Sequence, residues 1–60
     1  MSETSERRDG ATPNGGIYSI AYYRDADGKP TTKNKAAEIE IVEYAADGRE
    51  VFRTYAVINA

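Results

Sequence analysis

Two alternating runs joined by an Asp-Gly pair constrain this chain more than anything else in it. Glu38, Ile39, Glu40, Ile41, Val42, Glu43 and Tyr44 lead up to Asp47 and Gly48, and Val51, Phe52, Arg53, Thr54, Tyr55, Ala56, Val57 and Ile58 lead away. Asp-Gly between β-prone runs is a strong hairpin signal, because both residues tolerate the positive φ of a type I′ turn. A two-residue loop at Asp47 and Gly48 sets Ala46 opposite Arg49, and counting back pairs Glu43 with Phe52, Ile41 with Thr54 and Ile39 with Ala56. One face then holds Ile39, Ile41, Phe52, Ala56 and Ile58; the other holds Glu38, Glu40, Val42, Tyr44, Val51, Arg53, Tyr55 and Val57. A three-residue loop closed by a bulge at Gly48 is the competing geometry and mixes the faces more. The two-residue loop is preferred because it is the commoner connection.

The rest of the chain is read around that hairpin. Residues 1–16 carry almost no apolar side chains, so burial cannot offset their ordering entropy, and a disordered polar tail is expected. Ile17 to Arg24 reads as a first strand, rich in β-branched and aromatic residues, with Tyr18, Ile20 and Tyr22 on one face and Ile17, Ser19, Ala21 and Tyr23 on the other. Asp25 to Pro30 is a turn cluster that stops it, since Pro30 cannot donate to a ladder. Thr31 to Ala37 is expected to be loop with at most one helical turn, which Thr32 is placed to cap. The expected fold is all-β: a single small domain over residues 17–60, built as a three-stranded antiparallel meander.

Sixty residues bury only ~60% of the surface the unfolded chain exposes. The sequence has no Cys and no His, which removes disulfides, thiolate metal sites, and the usual metal ligand and general base near neutral pH. Association is the remaining route to burial, so a homodimer is expected. Both faces of the meander carry apolar groups while a lone sheet has one layer, and five tyrosines crowd into it. A surface that binds a larger protein follows, with Glu38, Glu40, Glu43, Tyr44, Arg53 and Tyr55 as the candidate partner-binding residues.

Catalytic equipment is not found. Ser19 lies mid-strand with no His to activate it, and so short a sheet leaves little room for a pocket of a few hundred cubic ångströms. Asp25, Asp27 and Gly28 match the middle of a calcium loop, but the first ligand position falls on Tyr23 and the last on Asn34, so they mark a turn. No enzyme activity, metal or cofactor is expected.

Ala26-Asp27-Gly28-Lys29 returns as Ala46-Asp47-Gly48-Arg49, each soon after a tyrosine. This echo resembles the YD-repeat proteins, whose short β-hairpin units carry Tyr-Asp and Gly-Arg pairs, although Lys29-Pro30-Thr31-Thr32 departs from that pattern. In size, mild acidity and lack of catalytic groups the chain is also similar in type to small phage-encoded inhibitors such as anti-CRISPR proteins. That implies occupation of a partner's surface. Glu38 and Glu40 point the same way along an extended strand and with Glu43 and Glu50 would make a partial phosphate mimic, but a solvated acidic strand edge that blocks aggregation is the preferred reading of them. The rival reading is a single-stranded nucleic-acid module using Arg24, Lys29, Lys33, Lys35 and the tyrosines; a formal charge of -2 argues against strong phosphate binding. No signal peptide or membrane span is visible, so a cytoplasmic protein is expected.

Overall fold

The structure, a computed structural model, describes residues 3–58. It contains one antiparallel sheet of four strands, where three were expected. β1 is Ser5–Asp9, β2 Tyr18–Arg24, β3 Glu38–Tyr44 and β4 Glu50–Val57, and their spatial order follows the sequence. The additional strand comes from the segment read as a disordered tail, of which Met1 and Ser2 lie outside the described residues. β1 pairs with β2 from Ser5↔Tyr22 to Asp9↔Tyr18, across the boundary expected at residue 16. It has no apolar side chains to bury and takes its anchorage from the aromatic residues of β2. The Arg7 guanidinium lies 4.1 Å from the centre of the Tyr18 ring, and the Tyr23 hydroxyl donates to Glu6 at 3.3 Å. Apolar content alone therefore underestimates a segment whose partner strand supplies the apolar surface.

The register of β3 and β4 is the expected one, Ile39↔Ala56, Ile41↔Thr54 and Glu43↔Phe52, but the loop is not. Ala45 N–H bonds the Arg49 carbonyl and Gly48 N–H bonds the Ala45 carbonyl, so three residues, Ala46 to Gly48, form the connection. Only Gly48 has positive φ (86°); Asp47 does not. This is the competing geometry, a type I turn closed by a glycine bulge. A second irregularity between Glu43 and Tyr44 sets Tyr44 opposite Glu50 and leaves Val51 as the extra residue, which restores the register the longer loop would have shifted.

The other two connections use the same device. Asp25 N–H bonds Lys29 O with Gly28 N–H on Asp25 O, and Thr12 N–H bonds Gly16 O with Gly15 N–H on Thr12 O. All three loops thus share one form: Ala or Pro, then Asp or Asn, then a glycine of positive φ. After the second loop, Pro30 bridges back to Arg24 and Lys33–Lys35 makes one 3-10 turn. Thr32 stands at its cap position, but its hydroxyl makes no capping bond. No helix among the described residues is long and apolar enough to cross a membrane.

Candidate partner-binding groove

The pairing sorts side chains onto two faces that differ in kind. One face carries Tyr18, Ile20 and Tyr22 of β2 against Tyr44, Val42 and Glu40 of β3, and Val42 at its centre is 1% exposed. Tyr18 and Tyr44 stack with centroids 5.0 Å apart. The Tyr22 and Tyr44 hydroxyls meet at 3.2 Å across the Ile20–Val42 pair, and this bond, with burial, pushes the Tyr44 pKa up to about 12. Glu40 accepts from Arg24 Nη1 at 2.7 Å and holds Arg53 Nη1 at 3.3 Å, while Arg53 Nη2 donates to Glu50 at 2.7 Å. The Arg24 guanidinium keeps the Glu40 carboxyl below the usual carboxylate range, and both arginines are pushed further up. Long polar side chains thus cover the β2–β3 part of this face, doing there the work of the second layer that the chain is too short to build, while Tyr55 and Val57 on its β4 side stay exposed.

The opposite face has no such lid. Ala21 of β2 and Ile39 and Ile41 of β3 floor a groove of about 620 Å³, continued toward β4 by Thr54. The β1–β2 loop closes one end with Thr12, Pro13 and Asn14, Glu6 and Arg8 flank the β1 side, and Lys33 of the 3-10 turn reaches in from the other end. Loop and turn both rise on this side of the sheet, which is why a hollow exists where the chain's length argued against one. Glu43 fixes the loop: its carboxylate accepts from Asn14 N at 3.0 Å and Asn14 Nδ2 at 2.7 Å. The Thr12 hydroxyl and the Asn14 amides hold the Glu43 carboxyl below its ordinary range. Tyr23, buried beside Glu6, is pushed up by burial first and by that carboxylate second. The floor stays open: Ile41 is 36% exposed, and Phe52, paired with Glu43 on the same face, 43%.

The candidate partner-binding residues do not form one surface. Glu38, Glu40, Tyr44, Arg53 and Tyr55 share the lidded face, whereas Glu43 belongs to the groove face. Glu40 and Glu43 are each 5% exposed with their carboxylates engaged, so they do not join Glu38 and Glu50 in a row of free carboxylates. Arg53 and Tyr55 are exposed and Glu38 is half-buried. Thr12, Asn14, Glu6 and Arg8 were missed as site residues, and Lys33 was considered only for nucleic-acid binding. The signal for the loop residues was there, because Thr12-Pro13-Asn14-Gly15 has the same form as the two Asp-Gly turns. Asp25 Oδ1 accepts from Asp27 N and Lys29 N, so that aspartate serves its own turn, and among the described residues no three metal-ligating side chains converge. No family model matches the chain, and neither curated proteins nor solved structures yield a match.

Proposed function

We propose that this chain is a non-catalytic interaction protein whose groove face receives an apolar segment of a larger protein. One observation carries the reading: the tyrosines and arginines of one face cover its β2–β3 centre, where Val42 is buried, while on the other face the loop and the 3-10 turn only border the floor of Ala21, Ile39 and Ile41 and leave it open. An apolar floor with a mixed-charge rim of Glu6, Arg8 and Lys33 suits an apolar side chain entering from a polar surface, the arrangement typical of interface cores. Acting in this way, the chain works by occupying its partner's surface, as small phage-encoded inhibitors do.

The experiment places a photoreactive side chain at Ile41 in one protein and at Ile20, under the lid, in another, and irradiates each in an extract of the native cells. A single protein adduct from Ile41, absent from Ile20 and lost when Ile39→Lys is added, is the expected result. Equal adducts from both faces, or none, contradict it. Tight, steeply salt-dependent binding of a single-stranded oligonucleotide would favour the nucleic-acid reading instead.

A further inference from the structure

The two edges of the sheet are unlike each other. β1 is five residues long and presents Glu6, Arg7, Arg8 and Asp9, the charged composition that blocks pairing with another chain. β4 is eight residues long, exposed throughout, and carries Val51, Phe52, Tyr55 and Val57 with no Lys and no Pro. The phase of the ladder shows which of its backbone groups are unused. Ile58 N–H bonds the Ala37 carbonyl, so alternate residues Ala56, Thr54 and Phe52 turn their N–H and C=O toward β3, and Arg53, Tyr55 and Val57 turn theirs outward.

We propose that β4 pairs antiparallel with β4 of a second copy, joining two four-stranded sheets into one of eight. The strand is self-complementary. In a two-fold register centred on Thr54, Arg53 lies opposite Tyr55 of the second copy and Phe52 opposite its Ala56, with no like charges facing each other. The outward groups of Arg53 and Tyr55 are then the ones that bond across the interface, as that register requires. The charged β1 edge rules out an open β1-to-β4 chain, so pairing closes at two copies. An axis normal to the sheet places both grooves on the same side, giving the dimer two equivalent apolar floors. An interface one strand wide is at the small end of specific interfaces, so the dimer dissociates on dilution.

Sedimentation velocity on the full chain across a hundredfold concentration range tests this without any other partner. The expected result is a shift from monomer to dimer mass with rising concentration. Tyr55→Pro removes an outward N–H, which an edge strand tolerates, and should leave a monomer at every concentration with an unchanged circular dichroism spectrum. Val57→Lys supplies a second edge block that keeps all inward hydrogen bonds, and its expected result is likewise a monomer. In a chain that has no native cysteine, Thr54→Cys should oxidise to a linked dimer, whereas Lys29→Cys, on a distant turn, should not. A monomer at all concentrations, a folded Val57→Lys variant that dimerises like the parent, or equal cross-linking from Thr54→Cys and Lys29→Cys would each overturn the proposal.

Discussion

Glu40 answers to two arginines, and its place in the sheet makes the pairing unusually consequential for a molecule of this size. Its carboxylate is nearly buried while Arg24 and Arg53 are a third to a half exposed, so the arginines reach in to it and keep their outer surfaces in water. Glu40→Gln removes the charge and keeps the shape, and should cost about 1–2 kcal/mol, less than a fully buried pair because solvent screens both arginines. Chemical denaturation of the variant beside the parent measures it. The titrating groups fix a pH window at each end. Glu40 and Glu43 have folded pKa values below their ordinary range, so their contribution is present above the unfolded carboxylate value of ~4.3 and is lost as pH falls through the folded values. Tyr44 has the opposite sign: its folded pKa of about 12 lies above the ordinary tyrosine value of 10.0, so its contribution is complete below pH 10 and declines as pH rises toward 12. Thermal melts across pH should therefore give a plateau that falls at both ends, and Tyr22→Phe should flatten the alkaline fall.

The three loops carry the fold at the scale of elements, and two of their glycines fail in different ways. A Cβ at Gly48 meets nothing within 4 Å, so Gly48→Val costs only the strain of positive φ, about 1–2 kcal/mol. A Cβ at Gly16 would lie 2.7 Å from Thr12 Oγ1 and 2.8 Å from the Tyr44 carbonyl oxygen, an acceptor already held by Ile17 N–H. Gly16→Ala should accordingly be the worse change despite its smaller side chain, by overpacking of about 2–3 kcal/mol, and paired denaturation curves for the two variants give the order. Much at this scale was legible in the sequence. Alternation located β2, β3 and β4 within a residue or two, and counting back from the loop gave the observed β3–β4 register even though the loop at Gly48 was assigned one residue too short, because the bulge offsets the difference. A two-residue loop and a three-residue loop followed by a bulge at Val51 return the same pairing, so the hydrophobic pattern could not distinguish them. β1 was not legible from its own composition, because Arg7 and Glu6 are ordered by Tyr18 and Tyr23, whose availability depends on the assembled sheet.

For the whole molecule, the absence of a second layer decides what each face becomes. The sequence showed that both faces carry apolar groups and that nothing remained to cover them; it did not show that the tyrosines and arginines of one face lid it themselves, since that depends on Tyr22 and Tyr44 meeting across Val42 and on Arg24 and Arg53 sharing Glu40. Deleting residues 1–9 should lower the melting temperature markedly, because it bares the β2 edge and takes the partners of Tyr18 and Tyr23 away. An unchanged melt would mean that β1 contributes nothing to stability. The contrast between a lidded face and an open one is tested most directly by methyl NMR of the dilute chain with a soluble paramagnetic gadolinium chelate. The structure predicts strong relaxation of the Ile41 methyl groups and protection of those of Val42, its neighbour in sequence on the opposite face. Equal protection of Ile41 and Val42 would show the groove to be covered, and equal relaxation would show the lid to be absent; either result would contradict the account.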